Sequence, residues 1–177
     1  MKKVFLALLL VSALLGLQSC SSDDDPKDNY KLDLTIGGKL LGTVTDVYHL
    51  YLEYTLETPQ GKENKTIDMT SGYNNLELKN LPAPCSLTYQ FYLKKLDGKQ
   101  VDIYQYYNMD MHTSKIYSLY NNGEQINHRS LPDFVGYDNL LGYDMEQTLN
   151  GVNKVHGKKQ KITLSADGNV AELLAEQ

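Results

Sequence analysis

From residue 46 to residue 57 the chain alternates without a break, with Tyr48, Leu50, Leu52, Tyr54 and Leu56 on one parity and His49, Tyr51, Glu53 and Thr55 on the other. A period of two is satisfied by an extended strand, whose successive side chains face opposite ways, here one face toward a core and one toward water. Residues 86–96 repeat the pattern with Leu87, Tyr89, Phe91 and Leu93. The chain holds 14 tyrosines and no tryptophan, and its β-branched and aromatic residues gather in short runs separated by Gly, Asn, Asp and Pro. Such a chain is expected to be mainly β and antiparallel. Weaker strands are expected at residues 30–36, 40–45, 65–70 and 74–78.

Three turn signals organise the strands. Asp97-Gly98 is expected to join residues 86–96 to 100–107 as a hairpin. A loop of three residues with a left-handed Gly98 would pair Leu93 with Val101 or Ile103 and keep apolar residues together, which a two-residue loop would not. Asn121-Asn122-Gly123 is expected to join residues 115–120 to 124–128. At Asp167-Gly168 a two-residue loop would set Leu164 against Ala171 and Ile162 against Leu173.

Between residues 130 and 159 alternation stops, and Pro132, Gly136, Gly142, Gly151 and Gly157 divide the segment. It is expected to be one long irregular insertion, either a binding loop or a structural cover over one end of the sheets. Leu140, Leu141, Met145 and Leu149 could form one or two helical turns with Gly151 past their end.

The stretch Leu76-Glu77-Leu78-Lys79-Asn80-Leu81-Pro82-Ala83-Pro84, followed by Leu87-Thr88-Tyr89, resembles the turn between core strands in transthyretin-like and fimbrillin-like sandwiches. There a Leu-Pro-Ala-Gly segment leads into a strand with an alternating Tyr. Pro84 stands in place of the Gly, so the turn geometry must differ. The resemblance implies an immunoglobulin-like or transthyretin-like β-sandwich.

The chain start carries a separate message. Lys2 and Lys3 precede an apolar run from Val4 to Leu17. Its length of about 14 residues suits a secretory signal peptide and falls short of the roughly 20 needed to span a bilayer. Leu17-Gln18-Ser19-Cys20 resembles the bacterial lipobox, although Gln18 departs from the small or β-branched residue most common there. That resemblance implies cleavage before Cys20 and lipid on its thiol and new amine. The alternative is an ordinary signal peptide with an incidental Cys. One acyl chain holds a protein only marginally, whereas two or three anchor it stably. Ser21-Ser22-Asp23-Asp24-Asp25-Pro26 reads as a solvated linker, and it is similar to the serine and acidic run that follows the lipidated Cys in surface lipoproteins of Bacteroides and related bacteria. The expected location is therefore the outer membrane, lipid-anchored and facing the cell exterior, with the periplasmic face as the alternative. The domains are then residues 1–19 as a removed signal peptide, 20–29 as lipidated Cys and linker, and 30–177 as a single sandwich.

Cleavage removes Lys2 and Lys3 and leaves 15 basic against 22 acidic residues, a net charge of −7. With Arg129 as the sole arginine, a nucleic-acid partner, which needs clustered cations, is not expected. Lipidation of Cys20 leaves Cys85 without a disulfide partner, and a lone buried Cys behaves as a small hydrophobe more often than as a nucleophile.

No catalytic residues, no metal site and no cofactor are expected, and the chain is not expected to be an enzyme. Asp110 and His112 share a strand face but lack a third ligand at a recognisable spacing. His49, His128 and His156 are scattered, and Asp102 with Asp110 would matter only if folding brought them together. The unusual concentration is aromatic: Tyr104, Tyr106 and Tyr107, followed by Tyr117 and Tyr120. Alternation sends Tyr104 and Tyr106 to one face and Tyr107 to the other. Flat rings with polar tips suit stacking on sugars or protein contacts, and they also cap cores with their hydroxyls in water. The expected function is a lipid-anchored cell-surface binding module whose partner is a polysaccharide or a protein of an outer-membrane uptake complex. The alternative is a fimbrial or adhesin anchor or tip subunit. A polymerising stalk is disfavoured, because fimbrillin-type maturation commonly cuts after an early Arg and none precedes Arg129.

Overall fold

The computed structural model describes residues 27–174, so the signal-like segment, Cys20 and the acidic run lie outside the described residues. Two antiparallel sheets face each other as a β-sandwich. The first has strand order β4-β1-β6-β7 and the second β3-β2-β5-β8-β9. In chain order the strands are β1 (Tyr30–Leu41), β2 (Tyr48–Thr58), β3 (Gly61–Asp68), β4 (Tyr73–Pro82), β5 (Cys85–Lys95), β6 (Tyr106–Asn121), β7 (Glu124–Leu141), β8 (Gln160–Leu164) and β9 (Val170–Leu174). A 3-10 turn at Thr43–Asp46 links β1 to β2, and helix α1 (Gly142–His156) links β7 to β8.

The long alternating runs form as their parity requires. Tyr48, Leu50, Leu52, Tyr54 and Leu56 of β2 are buried, as are Leu87, Tyr89, Phe91 and Leu93 of β5. The two strands lie in register, with Leu50 opposite Leu93, Leu52 opposite Phe91, Tyr54 opposite Tyr89 and Leu56 opposite Leu87. Leu32, Leu34, Ile36 and Leu40 of β1 and Met109, Met111, Tyr117 and Leu119 of β6 close the core from the other sheet.

The hairpin expected at Asp97-Gly98 does not form. After Lys95 the chain crosses from one sheet to the other, so β5 pairs with β2 and β8 while β6 pairs with β1 and β7. An arch between sheets and a hairpin within one satisfy the same inward parity. The ten-pair register that β2 offers β5, with four large apolar pairs on its inner face, decides between them. The turn at Asn122-Gly123 forms as expected, with φ of 50° and 88° at its two central residues and Asn121 opposite Glu124. Both central residues of such a twisted two-residue turn need positive φ, which Asn and Gly supply at little cost.

Two other expectations are corrected. The segment from 130 to 159 is not irregular: β7 continues to Leu141, and α1 runs through Gly151 to His156. Pro132 is tolerated because β7 is an edge strand that pairs with β6 alone, so the missing N–H need not interrupt a second ladder. The β8–β9 loop is longer than two residues and sets Leu164 against Val170 and Ile162 against Glu172. Ser165 widens it by exchanging bonds with Asn169, donating N–H to its carbonyl at 3.0 Å and accepting its N–H on Oγ at 3.1 Å. The shift leaves Leu173 exposed. It turns Glu172 toward Lys115 of the opposite sheet, with Nζ and Oε2 2.8 Å apart.

Helix α1 solves a problem created by the short β8, which covers β5 only from Cys85 to Tyr89. Along the rest of that edge Asn153 acts as a substitute strand. Its Nδ2 donates to the Leu93 carbonyl at 2.8 Å and its Oδ1 accepts the Leu93 N–H at 2.7 Å. Met145 and Leu149 are buried behind it. Replacing Asn153 by Leu is expected to leave both Leu93 groups unpaired and to cost about 1–3 kcal/mol, and Asn153→Asp, which cannot donate, should also destabilise. Thermal unfolding of the soluble domain checks this, and an unchanged Tm for both variants contradicts it.

Candidate interaction surface

The chain enters the sandwich at the end marked by Tyr30, Pro82, Asn121 and Cys85. There the Asn29 N–H donates to Asn121 Oδ1 at 3.1 Å, the Asn122 N–H donates to the Asn29 carbonyl at 3.2 Å, and the Tyr30 ring covers Gly168 of the β8–β9 turn. The opposite end is reached where β1 finishes at Leu41, a strand of 12 residues or about 40 Å away. That far end carries the crossing loop from Leu96 to Gln105 and the start of α1.

The loop is tightly specified by its own polar groups. Asp102 Oδ1 accepts the Tyr104 N–H at 2.9 Å, the turn that an Asp favours two residues ahead of itself. The Asp102 N–H donates to the Tyr107 hydroxyl at 3.0 Å. Leu141, which precedes α1, has no side chain able to cap it, and loop carbonyls take over: Gly142 donates to the Gln105 carbonyl at 2.8 Å and Tyr143 to the Ile103 carbonyl at 3.1 Å. A Cβ on Gly142 would stand 2.0 Å from the Asp102 carbonyl oxygen. Only glycine lets loop and helix approach so closely.

This stapling presents four large side chains to solvent from bonded segments. Tyr104 is 85% exposed, Tyr143 75% and Tyr106 61%, with Ile103 beside them. Of the sequence candidates, Tyr104 and Tyr106 thus lie together. Tyr107 and Tyr117 do not join them, since both belong to the core at 4% and 5% exposure. Tyr107 instead supports the patch from beneath through Asp102. Tyr120 faces outward opposite Lys31, about 45 Å along β6 from Tyr106. A single groove built from all five is therefore excluded. Tyr143 was missed because it follows a run with no alternation, and only its position at the glycine-dependent helix start brings it to the patch.

Several other aromatic and titratable groups have local partners. Tyr51 and Tyr92 stack on each other across β2 and β5 with ring centroids 5.6 Å apart, which uses the facing sides of both rings. His49 Nδ1 lies 2.6 Å from Asp68 Oδ2. Burial tends to raise the Asp68 carboxyl pKa, but bonds from Thr70 and His49 outweigh it and hold it below the usual value. Asp110 Oδ2 pairs with Lys39 Nζ at 2.7 Å, and His112 Nε2 stands 2.7 Å from Asp110 Oδ1, poorly aligned for a hydrogen bond. Among the described residues no group of three His, Cys, Asp or Glu side chains could hold a metal ion. Cys85 is buried, and burial pushes its thiol pKa up despite a backbone bond with Leu164 that opposes the rise, the reverse of an activated nucleophile. It lines a shallow hollow of 530 Å³ with Pro59, Pro84 and Leu164 at the end where the chain enters.

No match to this chain was found among protein-family models, curated proteins or solved structures.

Gly142→Val is expected to push the helix start off the loop, lowering Tm by several degrees. It should also raise hydrogen exchange at the Gly142 and Tyr143 amides, while exchange in β2 stays as in the parent. Unchanged exchange at those amides contradicts the assigned role of Gly142.

Proposed function

We propose that this chain is a lipid-anchored, non-catalytic binding module at the outer surface of the outer membrane, which engages its partner through Ile103, Tyr104, Tyr106 and Tyr143. The observation that carries this reading is the opposition of the two ends. The chain enters the sandwich at Asp28 and Asn29, eight and nine positions after Cys20 in the sequence, and the exposed aromatic side chains are about 40 Å away at the other end. A patch so placed stands clear of the bilayer to which the lipid would hold the chain. Exposed tyrosines gathered on a stapled loop also cost little entropy to use, because their backbone is already ordered. The partner classes are a polysaccharide or a protein of an uptake complex. The buried, protonated Cys85 and the paired Asp110 support a role without catalysis.

Three measurements on intact cells test the reading. A clickable palmitate analogue should label the protein and fail to label Cys20→Ser, and added protease should digest the labelled protein without cell lysis. A photo-crosslinking residue at position 104 should then give adducts that one at position 120 does not. Equal yields at both positions would sink the patch as the contact surface, and protection from protease would place the domain on the periplasmic face.

A further inference from the structure

The register of β9 that turns Glu172 inward brings three polar side chains together between the sheets. Lys115 of β6, Gln160 of β8 and Glu172 of β9 stand opposite Ile36, Tyr89 and Ile162, so each takes the inward parity of a core position. The Lys115 side chain is only 11% exposed, and a cation placed there gives up much of its hydration. Its Nζ donates to Gln160 Oε1 at 3.1 Å and lies 2.8 Å from Glu172 Oε2. The Tyr89 hydroxyl donates to the same Gln160 oxygen at 2.9 Å. Glu172 Oε1 makes no hydrogen bond, with Arg129 Nη1 3.5 Å off.

An ion pair calls for Lys115 and Glu172 alone and has no use for an amide carbonyl that accepts two donors. Acyl transfer uses all four groups: an amine, an acyl carbon, a carboxylate that carries protons, and a hydroxyl on the oxygen where negative charge develops. Holding them in one fold replaces a chance encounter in water and speeds an amide exchange that is otherwise slow.

We propose that Lys115 and Gln160 close an isopeptide bond between the two sheets, with Glu172 as proton carrier and the Tyr89 hydroxyl stabilising the oxyanion. Glu172 takes a proton from the Lys115 ammonium, and Nζ attacks Gln160 Cδ. Glu172 passes that proton to Nε2, the Cδ–Nε2 bond breaks, and the second proton shed by Nζ leaves with ammonia as ammonium. One ammonium and one primary amide thus give one secondary amide and one ammonium, and nothing is oxidised or reduced. A hollow of 190 Å³ lined by Lys115, Gln160 and Glu172 lets the ammonium out. The closure happens once within the chain, does not turn over, and is independent of the far-end patch.

The folded full-length protein, denatured and cut after glutamate, tests it. Unjoined, residues 78–124 with Lys115 would separate from residues 147–172 with Gln160. Mass spectrometry should find the two as one species, lighter than their sum by one ammonia, with fragment ions that join position 115 to position 160. Lys115→Arg and Glu172→Gln should release them separately at an unchanged circular dichroism spectrum, the second piece then ending at residue 176 in Glu172→Gln. Tyr89→Phe should slow the joining about a hundredfold. Separate fragments of unmodified mass from the parent protein overturn the proposal. So does an ammonia deficit confined to one fragment, the mark of a succinimide at Asn122-Gly123 or Asn150-Gly151. Joining at the parent yield in Glu172→Gln overturns the role of Glu172.

Discussion

The ladder between β2 and β5 is the contact on which the sandwich depends. Ten consecutive residue pairs place four large apolar pairs on the inner face, and each strand is fully extended along that length. Once β5 is committed to β2, its other edge must be satisfied, and β8 is too short to do it. The helix follows from that deficit. Asn153 completes the pairing at Leu93, Met145 and Leu149 fill the space behind it, and the helix start is drawn against the crossing loop at the far end. The exposed aromatic patch is thus a by-product of finishing a sheet edge, with its backbone positions dictated by core requirements.

Much of this was legible in the chain. Period-two runs identified β2 and β5 residue by residue, and Asn122-Gly123 marked its turn, because in both cases local chemistry admits one answer. Parity says which face a residue takes and is silent on which strand lies alongside. Hence Asp97-Gly98 looked like a hairpin when it starts an arch between sheets. The β8–β9 register slipped for a related reason: Ser165 and Asn169 reshape the loop with side-chain bonds that the Asp-Gly signal does not reveal. In the stretch beyond residue 130 the apolar pattern is weak because β7 is an edge strand, and it gets its order from β6.

The candidate surface was half legible. Tyr104 and Tyr106 were found by their density in the sequence, and the same density drew in Tyr107 and Tyr117, which the core absorbs. Burial decides between identical side chains one or three residues apart, and it depends on where strand β6 begins. Tyr143 needed the fold, since it comes to the patch only through the β6–β7 ladder and the bonds that hold the helix start against the crossing loop.

Where the chain enters, Asp28 and Asn29 are bonded to Asn121 and to the β6–β7 turn, and the Tyr30 ring packs on the β8–β9 turn, so from Asp28 onward the chain is fixed to the domain. With lipid on Cys20, the domain becomes a rigid lever of about 40 Å on a leash of seven residues or about 25 Å. Its far end then sweeps a thin shell above the membrane. Any ligand held within that shell meets the patch at the millimolar effective concentrations typical of short tethers. A weak site of one or two stacked rings would suffice there, where the same site free in solution would capture almost nothing.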